Sequence, residues 1–429
     1  MIDQYVLYLD RFRGFEDTYI PLTDVSFLVG ENSSGKTSIL KILKLMASRE
    51  FLVQNDFGGE DTGLNTASDI ISTNSRSGRF RIGMIRREIF DDGPGMPLGA
   101  LVGYKIHDGM PFDTHFTCTL GSQEVAIKRV DGHVYVRTRK KIKLQTDVRS
   151  LFPSWITEQE SDSLDGYSLL AIPEELRQEP LFYALSIVAQ RLKFAQFGRL
   201  PSTLFDDRLV WLDPIRTKPR RTYDQPRRGY SPVGDHTPYL IRRVLSSNQE
   251  HNKRILQAVS KVGQESGLFK AVATQHLGRS AAAPFQLQIV LERKSFNVTN
   301  VGYGVSQALP GLLEVICRAQ GSWFAIQQPE VHLHPRAQAA LGDFIADFAC
   351  ADSKKFLIET HSDYMINRYR AKLSRSKVKP SSQILFFERK NGKNTVTPLE
   401  ISDTGELPVD QPRGYRSFFI KEQMDMLEL

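Results

Sequence analysis

Residues 30–37 read Gly30-Glu31-Asn32-Ser33-Ser34-Gly35-Lys36-Thr37, which satisfies the pattern G-x-x-x-x-G-K-[ST] at every fixed position. The apolar run at residues 25–29 predicts a short buried strand before it. After it, residues 38–46 have the apolar spacing of an amphipathic helix. Strand, glycine loop and helix in this order form the context in which the pattern binds phosphate.

The residue types in this loop account for its chemistry. Gly30 and Gly35 allow backbone conformations that turn successive N–H groups toward phosphate oxygens, and the positive end of the following helix adds to that field. Lys36 is expected to reach the β and γ phosphates, and the Thr37 hydroxyl to hold Mg²⁺. The other residues expected to line the phosphates are Asn32, Ser33, Ser34 and Ser38. The alternative is a flexible loop that matches by chance, which the flanking strand and helix disfavour. The sequence therefore predicts a site for ATP and Mg²⁺.

Composition sets broad limits. The chain has 429 residues, 41% of them hydrophobic, and a formal net charge of +7, which permits nucleic-acid binding without indicating it. No apolar run approaches the length that crosses a bilayer, and the first residues lack the pattern of a signal peptide. Three cysteines stand apart without metal-ligand spacing. We expect a cytoplasmic protein with no membrane partner.

Periodicity along the chain predicts four parts. Residues 1–150 are expected to form an N-terminal lobe with the phosphate loop and an antiparallel meander, in which Asp131-Gly132 marks a hairpin. Residues 151–284 are expected to be mostly helical and to carry a basic loop at 217–236. Strand and helix alternate again over 285–380, and residues 381–429 contain a second hairpin at Asn391-Gly392.

Three further motifs lie toward the C-terminal end. Residues 300–307 read Asn-Val-Gly-Tyr-Gly-Val-Ser-Gln and lead into a helix expected at 308–317, a layout that suits a second anion site. Residues 324–335 read Phe-Ala-Ile-Gln-Gln-Pro-Glu-Val-His-Leu-His-Pro, a buried strand running into a proline-bounded turn. Residues 356–363 read Phe-Leu-Ile-Glu-Thr-His-Ser-Asp, a strand that ends at a histidine.

In order and spacing, these motifs and the phosphate loop resemble the ABC-type ATPases, in particular the branch shared by SMC proteins and the overcoming-lysogenization-defect ATPases. The resemblance covers residues 1–60 and 285–370 well. It implies an α/β fold: an ABC-type P-loop ATPase head with a mixed sheet, an antiparallel β subdomain and a mostly helical middle insertion. The tail at 407–416 is similar to a short C-terminal extension found in one prokaryotic subgroup.

The resemblance also implies roles for individual residues. Lys36 and Thr37 of one protomer would hold ATP and Mg²⁺, while Gly304 and Ser306 would cap the nucleotide of a second protomer. Two chains would then close head-to-tail on two ATP molecules. His361 would contact the γ-phosphate and transmit its loss to the rest of the fold.

The chain departs from the family pattern at Gln327 and Gln328. The family usually has an acid at the first position, which orients Mg²⁺ through water, and a glutamate at the second, which polarises the attacking water. A neutral amide cannot accept a proton from that water, so we expect slow hydrolysis and weakened Mg²⁺ binding.

Two explanations of the amides are open. Either Gln327 is an engineered Glu→Gln change that traps the ATP state, or the natural protein is a slow, switch-like ATPase. Glu330 is the nearest carboxylate in sequence that is able to substitute, although in the family this position is more often structural.

His332 and His334 allow a metal site as an alternative, but their apolar neighbours favour a structural turn. His361 considered alone is more often a buried, hydrogen-bonded histidine than a phosphate sensor. The ordered set of motifs favours the functional interpretation of each.

A basic loop suggests what the ATP switch acts on. Its cationic residues are Arg216, Lys218, Arg220, Arg221, Arg227 and Arg228. With Tyr223 and Tyr230 among them, this cluster is suited either to track a DNA or RNA backbone or to serve ATP or a partner protein.

Two classes of function stay open. One is an ATP-gated sensor of nucleic acid that controls a separate effector such as a nuclease, as in prokaryotic anti-phage defence. The other is a scaffold that holds a toxin until its ATP state changes. A DNA-repair accessory role is a third, weaker alternative. The acidic clusters of a metal-dependent nuclease are missing from the sequence, so we expect any cleavage to belong to a partner.

Overall fold

A computed structural model describes residues 5–58, 62–64, 66–72, 77–87, 97–120, 123–140, 150–192, 203–224, 229–280 and 283–418. The chain divides into two compact units. Unit 1 comprises residues 1–23, 31–207 and 387–398, and unit 2 comprises residues 24–30, 208–386 and 399–429. The domain boundaries expected at 150, 284 and 380 stay a prediction.

The strands are β1 (Tyr5–Asp10), β2 (Thr18–Leu22), β3 (Val25–Gly30), β4 (Arg79–Arg87), β5 (Pro97–His107), β6 (Met110–Leu120), β7 (Gln123–Val130), β8 (His133–Lys140), β9 (Ser168–Leu169), β10 (Leu209–Leu212), β11 (Ala271–His276), β12 (Phe285–Leu291), β13 (Lys294–Asn297), β14 (Trp323–Gln327), β15 (Lys355–Glu359), β16 (Ser382–Lys390) and β17 (Lys393–Ile401). The α-helices are α1 (Lys36–Met46), α2 (Arg49–Gln54), α3 (Ala67–Ile70), α4 (Leu151–Glu160), α5 (Leu181–Arg191), α6 (Thr237–Leu245), α7 (Glu250–Ser266), α8 (Tyr303–Cys317), α9 (Pro335–Asp352) and α10 (Asp363–Arg375).

Unit 1 is built on an antiparallel sheet with the strand order β2-β1-β4-β5-β6-β7-β8-β9. The predicted hairpin joins β7 to β8, with Asp131 and Gly132 both at positive φ, as a tight two-residue turn requires. Phe152 and Trp155 of α4 are fully buried in one cluster with Val6 and Leu101 of the sheet. Burial of side chains this large supplies much of the stability of such a layer.

Unit 2 contains a sheet with the strand order β10-β14-β15-β3-β16-β17. The pairs β10–β14, β14–β15 and β15–β3 are parallel, and β3 and β14 are buried along their whole length, as expected of strands covered on both faces. The carboxyl ends of β3, β14 and β15 therefore lie at the same edge of the sheet. These are the ends from which the phosphate loop, the Gln327-Gln328 turn and the His361 segment continue.

The predicted α/β class, with a mixed sheet and an antiparallel β part, is confirmed. The meander is confirmed over its described residues, and the second hairpin joins β16 to β17 through Asn391 and Gly392, both at positive φ. The helical character expected over 151–284 is confirmed in α4 to α7. Within that range, however, β10 extends the parallel sheet and β11 pairs with β12, because their apolar residues complete sheets formed by more distant parts of the chain.

The segment between β10 and α6 contains the described part of the basic loop and is tied to α8. The Arg216 N–H donates to Gln307 Oε1 at 3.2 Å, and Gly234 lies so close to Pro310 that a Cβ at residue 234 would come within 2.5 Å of it. His236 Nε2 lies 2.6 Å from Glu314 Oε1, and Arg318 Nε donates to the other Glu314 oxygen at 2.7 Å. Both ends of this segment are therefore fixed to one helix.

In the part of the chain that the structure describes, no helix is long and apolar enough to cross a membrane.

The Glu314 carboxylate gives the first prediction. Burial raises its pKa, but the hydrogen bond with His236 and the charge of Arg318 outweigh burial, so the pKa lies below its ordinary value of 4.5. Replacing it with an amide, Glu314→Gln, is expected to lower the free energy of unfolding by roughly 1–3 kcal/mol at neutral pH. Because the folded-state pKa is the lower one, this loss is present above about pH 4.5 and shrinks as the pH falls through the folded-state value.

Urea denaturation at a series of pH values measures this difference. Glu265→Gln is the control, because Glu265 is half-exposed and lies 3.9 Å from Lys261, and exposed pairs contribute roughly 0–1 kcal/mol. A Glu314→Gln loss that stays constant from pH 7 to below the carboxyl range contradicts the assignment.

Candidate nucleotide-binding site

The phosphate loop requires the glycine at position 35. Gly35 has φ 101°, in the left-handed region, and a Cβ there would come within 2.5 Å of the Phe15 ring. Gly30, at φ 148°, ends β3, and Ser33 also has positive φ, at 62°. Left-handed residues such as Ser33 and Gly35 allow neighbouring N–H groups to turn toward one side of a loop.

Lys36 and Ser34 converge on the same acceptor. The Lys36 Nζ and the Ser34 Oγ each donate to the Glu31 carbonyl oxygen at 2.7 Å. Both side chains are buried, with Lys36 only 3% exposed. Lys36, which we expect to bind the β and γ phosphates, is thus hydrogen-bonded to the main chain of the loop itself. Gly35 is the N-cap of α1, so the side chains of Thr37 and Ser38 belong to its first turn, while Asn32 is exposed.

The segment at 300–307 corrects one expectation. The helix predicted to start at residue 308 begins at Tyr303, with Gly302 as its N-cap, so Gly304 and Ser306 lie inside its first turns rather than before it. The Ser306 Oγ donates to the Tyr303 carbonyl at 2.7 Å, a local bond that lets a serine continue a helix. A Cβ at Gly302 would have nothing within 4 Å, so the start of α8 is open.

Gly304 is fixed by its contact with the turn after β14. A Cβ at this position would lie 2.6 Å from the His332 carbonyl oxygen and 3.0 Å from a methyl carbon of Leu333. The ring of Tyr303 also meets the His332 ring edge-on at 5.0 Å. The first turn of α8 therefore packs directly on the 330–333 turn, and only glycine permits that approach.

Gln327 is the last residue of β14 and is 5% exposed. Among the described residues its Nε2 has no hydrogen-bond partner, an arrangement that costs free energy unless something else satisfies it. Gln328 follows at φ 41° and donates its N–H to the Glu359 carbonyl at 2.8 Å. Two amides thus occupy the turn at the carboxyl edge of the sheet.

Sequence reasoning overlooked Glu359. It pairs in register with Gln327 across the parallel strands β14 and β15 and is 6% exposed. Register partners on neighbouring strands place their side chains on the same face of a sheet. The signal was present, because both residues end a buried strand, but only the register shows that they are neighbours.

Glu330 is the carboxylate that the sequence offers as a substitute base. In the structure its contacts are those of a structural residue. Its Oε1 accepts the His361 N–H at 2.7 Å, and burial raises its pKa. The charge of Glu330 acts on Arg216, whose pKa burial lowers to about 10. The family expectation of a structural glutamate fits this geometry.

The His361 segment is linked to the same turn a second time. The Ser362 Oγ donates to Gln338 Oε1 at 2.6 Å, and Gln338 Nε2 donates to the Leu333 carbonyl at 2.8 Å. Ser362 also caps α10 by accepting the Met365 N–H. The His361 ring lies 5.9 Å from that of Phe418. Displacement of His361 therefore acts on the turn through Glu330 and through Gln338.

The two other histidines have structural contacts. His334 is the N-cap of α9, with its Nδ1 accepting the Ala337 N–H at 3.3 Å, and His332 has φ 66° in the turn. No group of three or more His, Cys, Asp or Glu suited to a metal ion occurs among the residues that the structure describes.

The basic loop also differs from the prediction. Arg216 is only 3% exposed, and Tyr223 is 6% exposed and packs 5.5 Å from the Phe285 ring. Neither side chain is available to a phosphate backbone or a base, because the segment tied to α8 buries them. Lys218, Arg220 and Arg221 are exposed. Arg227 and Arg228 lie outside the described residues.

Comparison with known proteins shows that parts of the chain are similar to an ATPase family. Residues 7–89 and 237–366 match the family described as an AAA ATPase domain. The first segment contains the phosphate loop, and the second contains Gly304, Ser306, the two amides and His361. The match supports ATPase activity in general and nucleotide binding with it. No curated protein matches the chain.

Solved structures of SMC heads are also similar to this chain. The SMC head domain from Thermotoga maritima is 11% identical, with a TM-score of 0.41, and the similarity covers 92% of this chain and 98% of that one. The Pyrococcus yayanosii Smc head with a coiled coil and joint is 10% identical, with a TM-score of 0.42 and coverage of 92% and 96%. The Pyrococcus furiosus Smc head bound to the C-terminal domain of ScpA is 12% identical, with a TM-score of 0.40 and coverage of 99% and 98%.

The packing of α8 on the turn leads to the second prediction. Gly304→Ala is expected to lower the free energy of unfolding by about 1–3 kcal/mol, because the added methyl group meets a main-chain carbonyl that has no room to move. Gly302→Ala, two residues away in open space at φ −53°, is the matched control and should change stability by less than about 1 kcal/mol. Chemical denaturation measures both. Equal losses for the two variants would show that the contact at Gly304 is not tight.

Proposed function

We propose that this protein is an ATP-operated switch that closes as a head-to-tail dimer on two ATP molecules, hydrolyses them slowly, and thereby controls a separate effector protein. The observation that carries the proposal is the phosphate loop, with Lys36 held inside it and α1 beginning at its end. The ATPase family match over this loop and over the motifs of unit 2 supports it.

Lys36 and the loop N–H groups bind the phosphates in this proposal, and Thr37 supplies a hydroxyl to Mg²⁺. The side chains available suit that ion, since hydroxyl and amide oxygens are hard ligands and Mg²⁺ keeps several waters in such sites. When bound, Mg²⁺ neutralises charge on the phosphates. At Gln327, the position at which the family holds a Mg²⁺-orienting acid, the buried amide nitrogen has no hydrogen-bond partner among the described residues, and a water or an incoming ligand group would satisfy it.

Slow hydrolysis follows from the chemistry of the amides. Gln328 can orient a water molecule through hydrogen bonds but cannot take up its proton. Glu330 is engaged by the His361 N–H and so does not replace it. Glu359, in register with Gln327, is a carboxylate at the same edge of the sheet and would sustain a residual rate. ATP therefore stays bound and intact for much longer than the binding step takes.

Dimer closure draws support from the open start of α8. Gly302 has space around it, and the first-turn N–H groups of a helix attract anions. In this proposal Gly304 and Ser306 contact the γ-phosphate of the ATP held by the second chain. Loss of that phosphate moves His361, and this movement is passed to the 330–333 turn and to α8.

We place the effector outside this chain, in the manner of prokaryotic anti-phage systems that the sequence resembles. The burial of Arg216 and Tyr223 weakens the case for direct nucleic-acid contact through the basic loop. The same burial favours a protein partner, such as a nuclease or a toxin, as the effector that responds to the dimer.

The third prediction concerns ATP binding. Lys36→Ala is expected to weaken ATP affinity about 100-fold, which corresponds to roughly 2.7 kcal/mol, because the buried ammonium is lost from the loop. Lys44→Ala, on the last turn of the same helix, is the control and should bind ATP normally. Isothermal titration calorimetry with Mg-ATP gives both affinities, and light scattering shows whether ATP makes dimers. Wild-type affinity in Lys36→Ala would contradict the proposed function.

The fourth prediction concerns the two amides. Gln328→Glu is expected to raise ATP turnover at saturating Mg-ATP by about 100-fold or more, since a general base contributes typically 10²–10⁴ in rate. Gln327→Glu should lower the Mg²⁺ concentration needed for half-maximal rate, because a carboxylate orients the ion's water better than an amide. Gln190→Glu, an exposed amide on α5, controls for added charge. If the single and double variants turn over as slowly as the original chain, neither position is the missing catalytic group.

A further inference from the structure

A cavity in unit 2 adjoins the signature serine. It lies between α8 and the segment that precedes α6, is partly open to solvent, and has a volume of about 40 Å³. Its lining includes the polar side chains of Ser306, Thr237, Lys218, Arg220 and Asp235. The rest of the lining is largely apolar and includes Leu309 and Pro310 of α8.

Thr237 indicates that the cavity is built to receive a polar group. It is 3% exposed, and its Oγ1 has no hydrogen-bond partner among the described residues. A buried hydroxyl without a partner costs free energy, so a site that retains one gains from a ligand that accepts its hydrogen bond. Ser306 lies in the same lining, with its hydroxyl hydrogen donated to the Tyr303 carbonyl.

The charge of the lining favours an anion. Lys218 and Arg220 are exposed, and in the described part of the chain neither forms an ion pair. Asp235 contributes one negative charge, which leaves one positive charge in excess. Two cations and one free hydroxyl, that of Thr237, form a donor set that suits phosphate oxygens.

The position of these cations relative to Ser306 is fixed. Their segment is tied to α8 before them, through Arg216 and Gln307, and after them, through the close approach of Gly234 to Pro310. The bond from His236 to Glu314 adds a third tie. Lys218 and Arg220 are therefore held in the lining of the same cavity as Ser306.

We propose that this cavity binds a phosphoryl group next to Ser306, with Lys218 and Arg220 as its cationic ligands and the Thr237 hydroxyl as its hydrogen-bond donor. The inference rests on the proposed function, in which Ser306 meets the ATP of a second subunit. It assigns Lys218 and Arg220 to nucleotide binding rather than to a nucleic-acid backbone. The phosphoryl group comes either from the partner's ATP or from a free phosphate compound, and both present the same chemistry.

The test uses the full chain and compares three changes. One variant combines Lys218→Ala with Arg220→Ala, and a second, Thr237→Val, removes only the unpartnered hydroxyl and so should fold normally. Arg221→Ala is the matched control, since Arg221 is exposed on the same loop but does not line the cavity. Each variant is measured for Mg-ATP affinity by calorimetry and for ATP-dependent dimerisation by light scattering.

If the partner's ATP is the ligand, the double variant binds ATP within about twofold of the wild-type affinity but dimerises at least tenfold more weakly. Thr237→Val shows a smaller loss in the same direction, and Arg221→Ala shows none. If a free phosphate compound is the ligand, Lys36→Ala, which lacks the loop cation, still binds pyrophosphate, and adding the Lys218 and Arg220 changes abolishes that binding. Either pattern supports the cavity as a phosphoryl site and identifies its source.

The inference is overturned if the double variant dimerises with ATP as the wild type does and pyrophosphate binding is unchanged. It is also overturned if the double variant loses only salt-sensitive binding to duplex DNA. A wild-type chain that fails to bind ATP or to dimerise with it contradicts the proposed function instead, and the pyrophosphate measurement still tests the cavity independently.

Discussion

The contact between Gly304 and the His332 carbonyl is the constraint on which the rest of unit 2 depends. It presses the first turn of α8 against the turn that follows β14. On its other side, that turn is bonded to the His361 segment through Glu330 and through Gln338. One short turn therefore joins the end of the Gln327 strand, the His361 segment and the helix that carries Ser306. Packed interiors transmit small displacements because they leave little room for independent adjustment.

This arrangement explains why polar groups are buried where the sheet ends. Glu330, Gln327 and Glu359 are all at most 9% exposed, which would be unfavourable in an ordinary core. One oxygen of Glu330 accepts a main-chain N–H, whereas among the described residues its other oxygen and the Gln327 amide nitrogen have no hydrogen-bond partner. A fold retains an unsatisfied group of this kind where a ligand or water completes it. The buried Thr237 hydroxyl, in the cavity that Ser306 also lines, follows the same rule.

Much of this architecture was accessible from the sequence, and the exceptions have physical causes. The phosphate loop, both hairpins and the strands β14 and β15 follow from glycine positions and apolar runs, which act locally. The start of α8 was placed too late, because Gly302 and Gly304 resemble a loop until the packing of the turn against Gly304 is known. Arg216 and Tyr223 were expected on a surface, because a run rich in arginine does not reveal that Gln307 and Phe285 will bury it. The proximity of Glu359 to Gln327 depends on strand register, which residue types do not specify.

In the function that we propose, the bound nucleotide matters more than the rate at which it is hydrolysed. The most direct measurement follows a single turnover of radiolabelled ATP by rapid quench while light scattering reports the dimer in the same sample. The account predicts that Mg-ATP drives dimer formation well before any cleavage, and that dimers and intact ATP then disappear together. Cleavage that precedes dimer formation, or dimers that form equally well without nucleotide, would contradict it.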